Sequence, residues 1–86
     1  MKNKENDITT IFGLTVRELR VEAGYSQEDF AHICKLHRTY IGAIERGEKN
    51  VTIVTAKKIA VAFGISLSSL LLNVEKKISN TGATND

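Results

Sequence analysis

The sequence predicts an all-α domain built from five short helices. Apolar residues recur at three- and four-residue steps along most of the chain, which is the repeat of a helix that buries one face. The chain contains no proline, so glycines and capping Ser and Thr residues must mark the helix ends. VTIVT, residues 51–55, is β-branched and could form a strand, but it continues into AKKIA at helical spacing. We therefore interpret it as a loop followed by the start of a helix.

The first two helices occupy the segment before the turn at residues 35–36. After a polar leader over residues 1–7, the first helix carries apolar residues from Ile8 to Ala23 and ends at a glycine. The second spans about residues 27–34 and follows a serine that is a good N-cap.

Three further helices are predicted downstream. The third spans about residues 38–46, and a polar loop separates it from a fourth, which a threonine caps and a glycine ends. The fifth runs through Val74, and the polar tail over residues 75–86 is expected to fray. The folded domain is therefore expected to span residues 8–74.

Length, charge and cysteine content narrow the class of protein. A chain of 86 residues forms one domain with a thin core, which a partner subunit would help to cover. The net charge of +2 is a mild bias towards polyanions. Cys34 is the only cysteine, which fits a reducing cytosol. The N-terminus is too polar for a signal peptide and no apolar run approaches the roughly 20 residues of a membrane span, so we expect a soluble, cytoplasmic protein.

Residues 27–46 fit the geometry of two closely crossing helices, a helix-turn-helix. Such a pair needs a small residue at the crossing, which Ala31 supplies, and an apolar residue in the turn, which Leu36 supplies. Ile41 and Ile44 lie three residues apart and would anchor the second helix to the core. The outward face is then predicted to consist of Arg38, Thr39, Gly42, Ala43 and Arg46.

SQEDFAHICKLHRTYIGAIERGEKN, residues 26–50, resembles the helix-turn-helix of the Cro/repressor-type (Xre) family of bacterial and phage regulators. Within that family, RTYI followed by IERGEKNVTI is most similar to the controller proteins of restriction-modification systems. The resemblance covers about residues 8–72. It implies a lambda-repressor-like DNA-binding domain of five helices, acting as a stand-alone dimeric regulator without a sensor domain.

The expected DNA contacts follow from a recognition helix that enters the major groove with its N-terminal side chains. Arg38 could donate two hydrogen bonds to a guanine edge, and Thr39 could contact a thymine methyl group or a base acceptor. Gly42 and Ala43 would let the helix backbone approach the DNA closely. The remaining candidates would hold the phosphate backbone: Gln27 at the start of the preceding helix, and Tyr40, Arg46, Lys49 and Asn50 on either side.

Several candidates also have a purely structural interpretation. Arg38 and Thr39 are typical of a solvated helix start, and Gln27 of an ordinary first turn. Tyr40 could pack partly into the core, and Arg46 could complement the C-terminal end of its own helix.

The resemblance also implies one structural pair and reveals three departures from the family's pattern. It assigns Glu45 to a buried ion pair, with Arg20 as the candidate partner. Lys35 stands where the family usually has a turn glycine, so it must tolerate a left-handed conformation. His37 replaces the commoner Asp or Ser cap, and Gly42 replaces the serine of many relatives.

Metal-binding and catalytic functions are disfavoured. His32, Cys34 and His37 are three potential ligands spread over a helix and a turn, whereas zinc sites normally have four ligands at recurring spacings. No phosphate-cradling glycine loop, paired carboxylates or Cys–His arrangement with an orienting acid is present. We expect no cofactor and no enzyme activity.

The apolar run ISLSSLLLNV, residues 65–74, predicts a homodimer. Its leucines cover most of a helix circumference, which is more than one thin core can bury, although they could instead cap the core of the monomer. The expected interface residues are Ile65, Leu67, Leu70, Leu71 and Val74. Two copies would read half-sites about 34 Å apart.

The sequence thus predicts a sequence-specific DNA-binding transcriptional regulator, most similar to a restriction-modification controller acting as a dimer on operator boxes upstream of its own operon. A contact with RNA polymerase is a further expectation. The alternatives are a phage-type repressor or antitoxin regulator of the same fold, or a protein-interaction module that has lost DNA binding. RNA binding is disfavoured because no exposed aromatic stacking platform is evident.

Overall fold

The computed structural model describes residues 8–80 and contains five α-helices, as predicted. They are α1 (Ile8–Ala23), α2 (Gln27–Cys34), α3 (Arg38–Glu45), α4 (Ile53–Phe63) and α5 (Leu67–Asn80). This part of the chain forms no strand, and VTIVT is a loop end followed by the first turn of α4, as predicted. The predicted leader lies outside the described residues.

Hydroxyl side chains cap three of the helices at their N-termini. Each accepts a hydrogen bond from the backbone N–H three residues later: Ser26 from Asp29, Thr52 from Thr55 and Ser66 from Ser69, each at 3.0 Å. Such caps satisfy N–H groups that have no partner within the helix. They explain why α2, α4 and α5 begin directly after these residues.

The fifth helix is longer than predicted. It continues beyond Val74 to Asn80, so the start of the expected polar tail is helical. Ile78 packs against the core, and Lys77 forms an ion pair with Glu18 of α1. These contacts fasten the last turns to α1, and residues 81–86 lie outside the described part of the chain.

One apolar core joins all five helices. It is centred on fully buried side chains: Val16 of α1, Phe30 of α2, Ile41 and Ile44 of α3, Ile59 of α4, and Leu70 and Val74 of α5. The rings of Phe30 and Phe63 stack with their centroids 4.5 Å apart, which connects α2 to the end of α4. Helix α3, the candidate recognition helix, therefore packs against a continuous core.

Helical spacing predicts that Ile8 and Ala23 belong to the buried face of α1 and Ile53 to that of α4, and all three predictions are wrong. Ile8 and Ile53 begin their helices at the surface and are 59% and 64% exposed, and Ala23 is exposed at the end of α1. The reason is positional, because the first and last turns of a short helix extend past the helices against which its middle packs. In α1, Ile11 takes the buried place that the spacing had assigned to Ile8.

A buried glycine allows α1 to pack directly on the backbone of α3. A Cβ at Gly13 would lie 2.2 Å from the carbonyl oxygen of Ile44 and 2.9 Å from that of Glu45. No side chain fits at that distance, so this contact sets how closely α3 packs against α1. This role of Gly13 could not be predicted from the sequence, because its spacing within α1 does not indicate which helix it contacts.

Within residues 8–80, no single helix is long and apolar enough to cross a lipid bilayer. The α4 and α5 segments have sufficient length and hydropathy only when taken together, and the chain bends by 98° between them.

Candidate nucleic-acid interface

The outward edge of α3 carries Arg38 and Thr39. Ile41 and Ile44 are 0% and 1% exposed and fix the opposite side of the helix in the core. Arg38 and Thr39 are both exposed, as their spacing from the two isoleucines predicted. At this edge, the Arg38 side chain can donate hydrogen bonds to a bound molecule, and the Thr39 hydroxyl can donate or accept them.

The N-terminus of α3 is also electropositive. His37 has the extended backbone of an N-cap, but its side chain makes no cap hydrogen bond, as the replacement of Asp or Ser suggested. The first turn contains no acidic residue. The unpaired N–H groups and the helix dipole therefore favour an anion at this end, beside the guanidinium of Arg38.

The turn between α2 and α3 has the predicted geometry. Ala31 is 2% exposed at the crossing, and Leu36 is half-buried against the core. The N–H of Leu36 donates to the carbonyl of Ala31 at 2.9 Å, which closes α2. Lys35 adopts the left-handed conformation with φ 62° and ψ 44°, as its position in the turn required.

Gly42 and Ala43 do not face outward, and this prediction is wrong. Gly42 is buried because the side chains of Arg46 and Gln27 cover it; a Cβ there would lie 3.2 Å from Arg46 Nη1 and 3.6 Å from Gln27 Oε1. Ala43 is 7% exposed because the chain folds back over it, and its carbonyl accepts the N–H of Glu48 at 2.9 Å. Only the first turn of α3 and Arg46 present an open surface.

A buried ion pair holds α3 to α1 and α2. Arg20 donates from Nε to Glu45 Oε2 at 2.6 Å and from Nη2 to Oε1 at 3.1 Å, which confirms the predicted pair. Arg20 Nη1 also donates to the carbonyl of Tyr25 at 2.8 Å. Gln27 Nε2 donates to Glu45 Oε1 at 3.0 Å, so one amide hydrogen of this candidate phosphate contact is engaged inside the protein.

Arg46 and Glu48 form an exposed, two-pronged ion pair. Arg46 Nε donates to Glu48 Oε2 at 2.9 Å, and Nη2 donates to Oε1 at 3.2 Å. The hydrogen bond to this carboxylate raises the pKa of the Arg46 guanidinium above its usual value. The pair holds the guanidinium over Gly42, where it is oriented but electrically neutralised.

The three remaining phosphate-contact candidates differ in accessibility. Tyr40 is half-buried and packs against the core, so its structural interpretation holds for part of the ring. Lys49 and Asn50 are exposed in the loop between α3 and α4. Asn50 Oδ1 accepts the hydroxyl of Thr9 at 3.0 Å, which ties this loop to α1.

The possible metal ligands are not brought together. Cys34 is 3% exposed in the core, whereas His32 and His37 are exposed. Burial raises the pKa of the Cys34 thiol to about 11, against a smaller opposing effect of the Lys58 charge. No group of three or more potential ligands with metal-binding geometry occurs within residues 8–80.

Two residues predicted for the dimer interface are buried inside the monomer, and their assignment is wrong. Leu70 and Val74 are 0% and 1% exposed because their side of α5 packs on α1 and α4. Ile65 and Leu67 are half-buried against the core. Leu71 is 36% exposed and remains available for contact with a second copy.

A shallow apolar groove of about 300 Å³ lies beside Leu71. Its apolar lining consists of Ile8, Phe12, Val51, Ile53, Ala56 and Leu71. Leu72, next to Leu71, is 51% exposed and extends this apolar surface along α5. Ile53 was missed as a surface residue because helical spacing assigned it to the buried stripe of α4.

Comparisons with known proteins identify the family. A sequence profile of the helix-turn-helix family matches residues 16–70, most of the five-helix unit. The chain belongs to this family.

Its relatives within the helix-turn-helix family include control proteins. It is 44% identical over 73 residues to control protein C.MunI of Mycoplasma sp, covering 84% of this chain and 99% of that protein. It is 45% identical over 67 residues to control protein C.BamHI of Bacillus amyloliquefaciens, covering 77% and 83%.

Solved structures of controller proteins are also similar to this chain. The restriction-modification controller protein C.AhdI from Aeromonas hydrophila superposes with a TM-score of 0.69 at 42% identity, covering 72% of this chain and 94% of that one. The controller C.Esp1396I, solved as a tetramer with its natural 35 base-pair operator, superposes with a TM-score of 0.77 at 31% identity, covering 83% and 93%. The chain is therefore a helix-turn-helix DNA-binding regulator closely related to controller proteins, as its motif predicted.

Proposed function

We propose that this protein is the controller of a restriction-modification system and that it binds paired operator boxes upstream of its own operon as a homodimer. The observation that carries the proposal is the exposed edge of Arg38 and Thr39, on a helix whose opposite face Ile41 and Ile44 fix in the core. Because the helix cannot rotate without exposing both isoleucines, a duplex would always meet the same two side chains.

We assign base readout to the first turn of α3 and phosphate contacts to its surroundings. Arg38 can form two hydrogen bonds to a guanine, and Thr39 can contact the neighbouring base. Arg46 and Lys49 are exposed cations on the C-terminal side of α3, and Tyr40, Asn50 and the free amide hydrogen of Gln27 are the neutral candidates. Gly42 and Ala43 contribute indirectly, Gly42 by leaving room for the side chains of Arg46 and Gln27.

A second copy of the chain is the proposed occupant of the apolar groove. Leu71 and Ile53 lie on its walls, and Leu72 extends the same surface along α5. This face continues the C-terminal helix region, as the sequence predicted, but it uses Leu72 and Ile53 in place of Leu70 and Val74. A two-fold dimer would place two α3 helices at half-sites about 34 Å apart.

The proposal includes no catalytic step. We propose a cytoplasmic protein in which residues 8–80 form the unit that binds DNA. Whether the dimer activates or represses transcription would depend on where it binds relative to RNA polymerase. A direct contact between the dimer and RNA polymerase is part of the proposal.

The decisive experiment is hydroxyl-radical footprinting of the purified protein on the DNA upstream of its own gene. We expect two protected patches about one DNA turn, or roughly 10 base pairs, apart. The matched variants are Arg38→Ala and Arg17→Ala, which remove the same side chain from α3 and from the exposed face of α1. Arg38→Ala should weaken the footprint and Arg17→Ala should leave it unchanged, whereas uniform weak protection by the unaltered protein would contradict the proposal.

A further inference from the structure

Lys35 has an unusual backbone conformation for its residue type. Four residues in the described part of the chain have positive φ, and the other three are glycines: Gly24, Gly47 and Gly64. Each of the four follows the end of a helix. Lys35 has φ 62°, a region in which the Cβ of an L-residue crowds the backbone, so a lysine costs stability that a glycine would not.

The structure provides no internal compensation for this cost. The side chain of Lys35 is exposed and forms no hydrogen bond or ion pair with any described residue. The backbone N–H, which donates to the carbonyl of His32 at 3.1 Å, would make the same bond from a glycine. The Lys35 ammonium group can stabilise the negative, C-terminal end of the α2 dipole, but this effect is weak at an exposed position.

Lys35 lies where its positive charge can contact a ligand that binds at the N-terminus of α3. It lies two residues before His37, the N-cap of α3, at the end of the helix that carries Arg38 and Thr39. A helix N-terminus that enters the major groove is flanked by the phosphates of the groove edge. A long, unpaired ammonium side chain beside that end can reach such a phosphate.

We infer that Lys35 is a sequence-independent phosphate contact, retained in the turn between α2 and α3 at the expense of stability. The inference rests on the proposed DNA-binding function and adds a residue to it. An ammonium group meets a phosphate as a point charge and reads no base. The contact should therefore strengthen binding to every duplex to the same extent.

The test uses three substitutions in the full chain: Lys35→Gly, Lys35→Asn and Lys35→Arg. Glycine removes the strain and the charge, asparagine tolerates the left-handed conformation without a charge, and arginine keeps the charge. Lys76→Asn on α5 is the matched control for loss of a lysine. Fluorescence anisotropy measures binding to the upstream DNA and to a scrambled duplex of about 20 base pairs, two helical turns, over a range of salt concentrations.

We expect Lys35→Gly and Lys35→Asn to bind both duplexes about three- to tenfold more weakly, with the slope of log K against log salt reduced by about 0.9. Lys35→Arg and Lys76→Asn should keep the slope of the unaltered protein. Lys35→Gly should also melt a few degrees higher, which separates loss of binding from loss of folding.

An unchanged salt slope for Lys35→Gly and Lys35→Asn would overturn the inference, as would a loss confined to the upstream duplex. Failure of the unaltered protein to bind the upstream DNA better than the scrambled duplex would instead contradict the proposed function. The two failures are therefore distinguishable.

Discussion

Arg20 and Glu45 are joined by two hydrogen bonds, Nε to Oε2 at 2.6 Å and Nη2 to Oε1 at 3.1 Å, and their side chains are only 11% and 3% exposed. The pair connects the last turn of α1 to the last residue of α3. Since Glu45 also accepts the amide of Gln27, one carboxylate holds three helices together. The orientation of the recognition helix therefore depends on a contact that does not itself face DNA.

Glu45→Gln should strongly destabilise the fold, because it leaves the buried guanidinium of Arg20 without its counter-charge. The expected loss in the free energy of unfolding is about 3–5 kcal/mol, measured by urea denaturation. Glu48→Gln breaks the exposed pair with Arg46 and should change stability far less, because water already solvates both of these side chains. Equal losses for the two variants would mean that the buried pair does not secure α3.

Ionisation of Cys34 should make stability fall at alkaline pH. Burial raises the pKa of this thiol from 9.0 to about 11. The stabilising effect is complete below pH 9 and is lost as the pH rises towards 11, because the unfolded thiol ionises first. The expected loss is about 2–3 kcal/mol. Urea denaturation across this range should give a shallower decline for Cys34→Ala, and parallel declines would argue against the thiol as the cause.

Removing the carboxylate of Glu48 should strengthen DNA binding. Glu48 neutralises the guanidinium of Arg46 and brings a negative charge close to the proposed phosphate path. Glu48→Gln should tighten binding by a few-fold and steepen its salt dependence, because an exposed pair of this kind is weak and its loss frees the Arg46 guanidinium to meet a phosphate. Glu22→Gln on α1 is the matched control. Weaker binding by Glu48→Gln would indicate that the pair serves to position Arg46.

Leu72→Glu should separate the dimer without unfolding the monomer. The residue is 51% exposed, and a carboxylate in an apolar contact between two copies would be desolvated without a partner. Sedimentation velocity should detect a monomer for this variant at concentrations at which the unaltered protein is a dimer. Val61→Glu, at a 61% exposed position of α4, provides the control. A dimer that survives Leu72→Glu and dissociates with Val61→Glu would place the interface elsewhere.

The sequence predicted the helices well because spacing and caps are local signals. The four residues that build the helix-turn-helix, Ala31, Leu36, Ile41 and Ile44, have the predicted environments because one helix crossing determines all four. The left-handed conformation of Lys35 was also predicted correctly, but from the glycine that the family usually has at this turn position.

The failures arose where burial depends on a distant element. Leu70 and Val74 were assigned to the dimer surface because leucines surround α5, yet the side on which α1 and α4 pack cannot be read from α5 alone. Gly42 and Ala43 were assigned to the outward face because their spacing places them opposite the isoleucines. They are covered by Arg46, by Gln27 and by the returning chain, and none of these contacts follows from helical periodicity.

Base recognition by Arg38 can be measured by comparing Arg38→Ala with Lys49→Ala on the operator and on operators altered at single positions. Arg38→Ala should cost about 1–3 kcal/mol and relax base preference at one position, whereas Lys49→Ala should weaken binding to all sequences alike. An equal loss on every sequence for Arg38→Ala, with base preference intact at each position, would show that Arg38 does not read a base.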